Sequence, residues 1–384
     1  MASVGNGNTD ILIFVEDPGA VNSVVDLPAA LADQGIAAQI VAAGHAVEYL
    51  ASFGIDFAES AEESAAAMLD SARPRMVVAG TSENPDTLGL ALIAEARRRR
   101  LPSVGFVDGP TTAEYRFRGR AAEPLAFAPE WILVPDDISR HRYEALGHPA
   151  ARVIDCGHPY FDRVRATGRK LAAEGRDAVR ARALPDAPGD RPVVVFLAEI
   201  SAGLIPGAYE RGPDYTLAGR GGSDRRTSIV LEEVLDALAL VEPRPYVVLR
   251  LHPKNEDADF APYRGEIDAF SRGGLAHEVV FAADLVVGMT TILLFEAALM
   301  GRPTLSVIPR PAEREWLTGI RLGITPAVHT REALRDLLPA AVAEPDRALG
   351  KDPEEVIHFG ALDRMADFLS GLLADPAGGA GDDT

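Results

Sequence analysis

Residues 283–309 read ADLVVGMTTILLFEAALMGRPTLSVIP, and this stretch decides the fold of the second half of the chain. An apolar run ends at Gly288, two threonines then open a helical segment, and a Gly-Arg-Pro sequence ends that segment before a second apolar run. A helix between two buried strands is typical of a parallel sheet, because parallel neighbours need a long crossover connection. The stretch therefore predicts a strand, helix and strand of an α/β protein.

The start of this helix is a candidate phosphate site. The first N–H groups of a helix have no partner within it and lie at the positive end of its dipole. Thr290 and Thr291 stand at this point, directly after Gly288, and Glu296 follows within two turns, where it can reach a sugar hydroxyl. The alternative is that the threonines only cap the helix.

A second strand supports the phosphate interpretation. The segment YVVLRLHP at 246–253 is a buried strand that presents Arg250, His252 and then Lys254 at its carboxyl end. In open α/β sheets, ligands bind beyond the carboxyl ends of the strands. Three such groups within five residues suit a phosphate or diphosphate ester, although each of them alone is typical of a solvated loop. We therefore predict that these groups and the threonine turn bind one ligand.

Length and composition limit the number of domains and the kinds of partner that the protein can have. A chain of 384 residues exceeds the usual size of one core, so we expect two domains. Its formal charge of -19 argues against nucleic acid or an anionic membrane as a partner. A single cysteine excludes an internal disulfide framework. Since no apolar run approaches the length of a membrane span, we expect a cytoplasmic protein.

Strands alternate with helices along the whole chain, which predicts a doubly wound parallel sheet in each half. The expected domains are residues 1–160 and 161–375, followed by a disordered tail at 376–384, with a helix around 354–373 as a candidate to cross back to the first domain. The turn after the first strand lacks the G-x-G-x-x-G spacing of a dinucleotide-binding motif. No P-loop, H-E-x-x-H or G-x-S-x-G occurs either, which argues against an NTPase, a zinc protease and a serine hydrolase. The predicted strands are 11–15, 37–43, 76–80, 102–108, 131–135, 193–199, 246–252, 284–288 and 303–308.

These features resemble the GT-B glycosyltransferase superfamily, including its sialyltransferase-like members, and the related UDP-GlcNAc 2-epimerases. The shared features are G-H-P-x-x-D at 157–162, His-Pro after a strand of the second half, and a hydroxyl turn that leads to E-A-A-x-x-G-x-P at 296–303. The resemblance implies two Rossmann-like domains that face a cleft. It also implies a nucleotide-sugar donor on the second domain and an acceptor on the first.

Site roles follow from this resemblance. In the sialyltransferase-like enzymes the His-Pro motif places His252 on the donor phosphate, and the family glutamate that holds the ribose corresponds to Glu296. A general base is expected from the first domain, where Asp108 follows a strand and is the first choice. Asp17 is the second choice. A carboxylate is sufficient for this task, because the acceptor hydroxyl becomes acidic only in the transition state. For both aspartates, a turn or cap role is the alternative.

The 2-epimerase comparison fits the first half nearly as well. Residues 80–87 and 105–110 echo its G-D-T turn and its H-V-E-A-G strand end, although the acidic residue of the former is replaced by Ser82 or displaced to Glu83. The arginine that follows the first strand in that family is also missing. Epimerisation needs several acids around C2 of the sugar, and here Asp108 and Glu83 are the candidates.

The sequence thus favours a metal-independent enzyme without a cofactor that transfers a sugar from a nucleotide-activated donor to a small-molecule or carbohydrate acceptor. A nucleotide-sugar 2-epimerase or hydrolase is the first alternative, and a catalytically silent GT-B fold is the second. The long loop at 201–227 and the basic segment at 116–120 are further candidates for contact with anionic groups. A homodimer is compatible with this interpretation.

Overall fold

The computed structural model describes residues 9–60, 64–82, 84–109, 112–200 and 210–375. The chain divides into two compact units, which we call unit 1 and unit 2. Unit 1 contains the chain up to Asp162 and again from His358 onward, and unit 2 contains residues 163–357. The predicted tail at 376–384 lies outside the described residues.

Unit 1 is built on a parallel sheet of seven strands in the order β3-β2-β1-β4-β5-β6-β7. Its strands are β1 (Ile11–Val15), β2 (Ala38–Ala42), β3 (Ala58–Glu59), β4 (Met76–Gly80), β5 (Ser103–Phe106), β6 (Trp131–Val134) and β7 (Val153–Asp155). Every residue of β1 is buried, which requires cover on both faces of the sheet. The helices that provide it are α1 (Pro18–Val24), α2 (Leu27–Ala32), α3 (His45–Ala51), α4 (Ala65–Ala72), α5 (Leu88–Arg99), α6 (Ala113–Arg116) and α7 (Asp137–Ala145), followed by a 3-10 turn at Ala150–Arg152.

Unit 2 repeats this architecture with a parallel sheet of six strands in the order β10-β9-β8-β11-β12-β13. Its strands are β8 (Val193–Leu197), β9 (Tyr246–Arg250), β10 (Ala269–Ser271), β11 (Leu285–Gly288), β12 (Thr304–Val307) and β13 (Ala327–Val328). Its helices are α9 (Arg176–Ala183), α10 (Arg226–Leu238), α11 (Ala276–Ala282), α12 (Ile292–Leu299), α13 (Thr318–Leu322), α14 (Arg331–Ala343) and α15 (Pro353–Val356). Shorter 3-10 segments lie at Asp257–Tyr263, Pro311–Trp316 and Pro345–Ala348.

The chain leaves unit 1 within α8 (Pro159–Glu174) and ends in α16 (Ala361–Ala374), which belongs to unit 1. Met365, Leu369 and Leu372 recur at helical spacing and join the apolar core on one face of the first sheet. Unit 2 therefore ends at Ile357, whereas the sequence-based boundary placed all residues to 375 in the second domain.

The predicted alternation of strands and helices is confirmed, and both sheets are parallel throughout. In each sheet the strand order reverses beside the first strand of the unit, between β1 and β4 and between β8 and β11. This reversal opens a crevice at the carboxyl ends of the strands, where ligands of doubly wound sheets bind. No helix among the described residues is long and apolar enough to cross a membrane.

Candidate functional site

The crevice of unit 2 is formed by the residues that follow β8 and β11. The turn from Met289 to Thr291 leads from β11 into α12, as predicted. Its N–H groups, however, already have an acceptor in the protein. Glu199 Oε1, which lies beyond β8, accepts hydrogen bonds from the backbone N–H groups of Met289 at 3.2 Å, Thr290 at 2.7 Å and Thr291 at 2.8 Å. A carboxylate therefore stands at the start of this helix, where an anion is stabilised.

Arg226 holds the second oxygen of this carboxylate. Its Nη1 lies 2.8 Å from Glu199 Oε2, and its Nη2 donates to the hydroxyl of Thr290 at 2.9 Å. On its other side Arg226 Nε donates to Glu313 at 2.9 Å, and Glu313 also accepts from Arg310 at 3.0 Å. The side chains of Arg226 and Glu313 are fully buried. Burial alone would lower the pKa of Arg226, but the two carboxylates outweigh burial and raise this pKa above its ordinary value.

We call Glu199, Arg226, Glu313 and Arg310 the buried ion network. It fixes the turn at which we predicted phosphate binding, and it satisfies the hydroxyl of Thr290. Phosphate contact at Thr290 and Thr291 stays a prediction, and it requires Glu199 to share or release these donors. Gly288 is buried, and a Cβ there would meet its neighbours at ordinary contact distances of 3.4–3.6 Å, so the described residues do not require a glycine.

Arg250 differs from Arg226 because no carboxylate of the described residues neutralises it. It is the last residue of β9 and only 9% exposed. Its Nη1 donates to the hydroxyl of Ser271 at 2.9 Å, and among the described residues it forms no ion pair. Burial lowers the pKa of its guanidinium. A buried cation without a counter-ion is unfavourable in the protein alone, so this position favours an anionic ligand.

His252 lies two residues beyond Arg250 and is half-buried. Its Nδ1 accepts a hydrogen bond from the backbone N–H of Lys254 at 3.1 Å, which leaves the proton of the neutral ring on Nε2. Burial lowers its pKa, the charge of Lys254 lowers it further, and Glu199 opposes the shift. The imidazole is therefore a neutral donor near neutral pH. Lys254 itself is exposed.

Glu296 is on the first turns of α12 and is 5% exposed. Its Oε2 lies 2.8 Å from Nε2 of His277, a residue near the start of α11. The predicted contact with a ribose stays a prediction, and the partner histidine did not stand out in the sequence. A histidine that already holds one carboxylate oxygen would orient Glu296 toward any second partner.

Unit 1 places the two candidate bases at the same edge of its sheet. Asp108 follows β5 and Asp17 follows β1, directly before α1. A Cβ added to Gly19 would lie 2.3 Å from Asp108 Oδ2, so only glycine allows the carboxylate to approach the start of α1. Asp108 Oδ1 lies 3.3 Å from Arg116 Nη2 and accepts no hydrogen bond from the described residues.

A third carboxylate lies at the same edge of the sheet. Glu16 Oε1 accepts from the side chain of Asn84 at 2.7 Å, whereas its buried Oε2 has no partner among the described residues. Glu83, the further acid that we considered, lies outside the described residues. The edge therefore carries Glu16, Asp17 and Asp108, of which Glu16 was not predicted.

The arginines of the predicted basic segment at 116–120 contact other residues of unit 1. Arg116 is buried against Asp108, and Arg118 lies 4.4 Å from the ring of Tyr115. Arg120 forms an exposed ion pair with Asp86. Two of these three arginines are thus paired with carboxylates, and contact of the segment with an anionic acceptor stays a prediction.

The long loop predicted at 201–227 is described from residue 210 onward, and this part also contacts neighbouring segments of unit 2. Arg225 pairs with Asp259 at 2.8 Å, and α10 begins with the buried Arg226. Residues 201–209 lie outside the described part of the chain. Phosphate binding at the start of α10 stays a prediction.

Unit 2 contains a D-x-D triplet, Asp257-Ala258-Asp259, which bears on the predicted metal independence because carboxylates bind divalent cations. Asp257 pairs with Arg272 and Asp259 with Arg225, so arginines already neutralise both carboxylates. The described residues form no cluster of three or more side chains suited to hold a metal ion. Metal independence stays a prediction.

No model of a known protein family matches the sequence, and no curated protein matches it. Solved structures with the same fold do exist. The UDP-GlcNAc 2-epimerase of Methanocaldococcus jannaschii superposes with a TM-score of 0.65 at 13% identity, over 94% of this chain and 99% of that one. The enzyme of the same name from Neisseria meningitidis, bound to UDP-GlcNAc, gives 0.64 at 12% identity, over 95% and 99%.

The wall teichoic acid polymerase TagF is a third similar structure, with a TM-score of 0.56 at 12% identity, over 97% of this chain and 90% of that one. These structures confirm the predicted resemblance to the GT-B superfamily and to the UDP-GlcNAc 2-epimerases, at the level of the fold. The chain therefore has the two-domain α/β fold of GT-B type. Fold likeness does not assign a reaction, which must be argued from the site.

Proposed function

We propose that the protein is an enzyme that acts on a nucleotide-activated sugar, with the diphosphate bound at the carboxyl edge of the sheet in unit 2. One observation carries this proposal: Arg250 is buried at the ligand-binding edge without a carboxylate partner among the described residues. An arginine there can bind a phosphate through two parallel hydrogen bonds. His252 adds a neutral N–H donor to the same strand end.

The residues of unit 2 would act on the departing nucleotide. Charge on the diphosphate increases as the bond to the sugar breaks, so donors that are already in place stabilise the transition state more than the ground state. Arg250 and Nε2 of His252 are the donors that we assign to this role. Lys254 adds a positive charge at the exposed rim, and Glu296 is assigned to a sugar hydroxyl of the nucleotide.

The first reaction that we propose is transfer of the sugar to a small-molecule or carbohydrate acceptor. Asp108 would accept the proton of the acceptor hydroxyl, and Asp17 is the alternative base. The fixed position of Asp108 against Arg116 and α1 supports this choice, because a base must be held in place to be effective.

The second reaction is epimerisation at C2 of the sugar, and two observations favour it. Similar solved structures include UDP-GlcNAc 2-epimerases. In addition, Glu16, Asp17 and Asp108 give unit 1 three acids at one edge of its sheet, and proton removal and return at one carbon needs more than one acid or base. A fold that binds the nucleotide without turnover is the third alternative.

One experiment distinguishes these functions. The protein is incubated with a panel of nucleotide sugars in deuterated water, with and without glycan acceptors, and the products are followed by proton NMR. Acceptor-dependent release of nucleotide supports transfer, and deuterium at C2 of the sugar supports epimerisation. Nucleotide binding without either product supports the silent fold, and no binding by any nucleotide contradicts the proposal.

A further inference from the structure

A cavity lies in unit 1, at the amino ends of its strands. It has a volume of about 510 Å³ and lies beside Ser103, the first residue of β5. Arg97 and Arg100 from the end of α5, Arg152 before β7, and His148 after α7 also line it. The cavity is thus at the edge of the sheet opposite to Asp17 and Asp108, and we call it the His148 cavity.

The charges around the His148 cavity are predominantly positive. Three arginines line it, and Glu130 is the one acid among the lining residues. Glu130 pairs with Arg152 at 3.2 Å, whereas Arg97 donates to the backbone carbonyl of Ala128 at 2.5 Å. Arg100 forms no hydrogen bond or ion pair with a side chain of the described residues. Two of the three positive charges are therefore not neutralised in a protein whose net charge is -19.

His148 gives the cavity a buried polar group without a partner. The residue is 9% exposed, and its Nε2 has no hydrogen-bond partner among the described residues. The backbone of Glu130 lies beside the ring and favours its protonated form. A buried nitrogen without a partner is unfavourable unless a ligand or a proton satisfies it.

We infer that the His148 cavity binds a ligand carrying a phosphoryl group, held by Arg97, Arg100 and Arg152, with His148 Nε2 as a further contact. Arginine is the residue best suited to a phosphoryl group, because its planar donors match the anion. The volume of about 510 Å³ lies within the range of small-molecule sites and can hold an attached sugar as well as a free phosphate. This site is separate from the nucleotide site proposed for unit 2.

Binding at this site is coupled to a proton. Burial lowers the pKa of His148, the carbonyl of Glu130 opposes this shift, and the charge of Arg152 adds to it. Arg97 and Arg100 are the other cationic groups that line the cavity, and Glu130 is the acid. A bound dianion favours the imidazolium, so it raises the pKa of His148, and by linkage the affinity rises as the pH falls through that pKa.

The test follows the imidazole of His148 by NMR in the full-length protein, between about pH 5 and about pH 8, with and without sulfate. Sulfate is a suitable probe because its charge does not change in this range. The resonance is assigned by its loss in His148→Gln. We expect sulfate to raise the pKa of His148 by about one unit, which corresponds to a tenfold preference for the protonated form. An unchanged pKa overturns the inference.

Arg100→Asn removes one cation at little structural cost, because Arg100 is exposed and has a φ of 59°, which asparagine tolerates well. Arg98→Gln is the matched control, since Arg98 has the same charge and pairs with Glu95 away from the cavity. The sulfate effect on His148 should fall several-fold in Arg100→Asn and persist in Arg98→Gln. An equal loss in both variants contradicts a defined site.

One further titration identifies the source of the ligand, and one further variant tests whether the two sites are separate. A sugar phosphate that binds more tightly than inorganic phosphate indicates an organic ligand, and equal affinity indicates free phosphate. Arg250→Met, which removes the cation assigned to nucleotide binding, should leave the response of His148 unchanged. A loss of this response in Arg250→Met would overturn the separation of the two sites, whatever the result for nucleotide binding.

Discussion

The substitution Glu199→Gln tests the buried ion network. The amide oxygen can still accept from the N–H groups of the 289–291 turn. The amide nitrogen then faces Nη1 of Arg226, which is 2.8 Å from the carboxylate in the native protein, and two donors oppose each other. Arg226 is fully buried and keeps only Glu313 as its counter-ion.

Removing one partner of a buried ion pair lowers the free energy of unfolding by about 3–5 kcal/mol. Because Glu313 still neutralises Arg226, we expect the lower end of this range for Glu199→Gln, about 3 kcal/mol. Unit 2 spans residues 163–357, and for a domain of this size each kcal/mol shifts the melting temperature by about 2–4 °C. The predicted decrease is therefore about 6–12 °C.

Fluorescence can report this transition separately, because the chain has two tryptophans and Trp316 is the one in unit 2. In a Trp131→Phe background, Trp316 is the sole reporter, and its ring lies 5.4 Å from the guanidinium of Arg226. The control is Glu344→Gln, which removes a largely exposed partner of Arg347 and should change stability little. A decrease no larger than that of the control would refute the reasoning.

Three further predictions concern activity. Burial and then Lys254 lower the pKa of His252, and a bound phosphate raises it, so nucleotide affinity of the wild type should increase relative to that of His252→Gln as the pH falls from neutral into the acid range; parallel pH profiles in calorimetry would contradict this role. Asp108→Asn should reduce turnover by about 10²–10⁴-fold with nucleotide affinity retained, whereas Asp17→Asn should have the smaller effect; the reverse order of the two rates would assign the base to Asp17. Activity should survive EDTA, and loss that Mg²⁺ restores would point to metal ligands such as Asp257 and Asp259.

The sequence predicts the long central strands well, because continuous apolar runs such as 11–15 and 193–197 are typical of strands buried on both faces. It does not predict the strands at 58–59, 153–155, 269–271 and 327–328. These have two or three residues each and depend on pairing with a neighbour rather than on their own pattern.

The position of some candidate site residues could be predicted for a similar reason. Arg250 ends a recognisable strand and His252 follows it, so their position at the carboxyl edge of the sheet could be inferred. The role of Glu199 could not, because it depends on contacts with a turn 91 residues away. A single acidic residue at the end of the apolar run 193–199 was the one signal in the sequence that could have marked it.

The central claim is that Arg250 is buried to bind the diphosphate, and calorimetric titration of UDP and CDP tests it most directly. The variant is Arg250→Met, and the control is Arg244→Gln, which removes an arginine before the other end of β9 that pairs with Asp268. Hydrogen bonds to charged groups contribute about 1.5–3 kcal/mol, so Arg250→Met should weaken nucleotide binding by about tenfold to a hundredfold.

The same variant should not be less stable, because Arg250 has no carboxylate partner among the described residues. The account thus predicts lost nucleotide affinity with an unchanged or higher free energy of unfolding in Arg250→Met, and wild-type affinity in Arg244→Gln. Nucleotide binding by folded Arg250→Met that equals that of the wild type would contradict it.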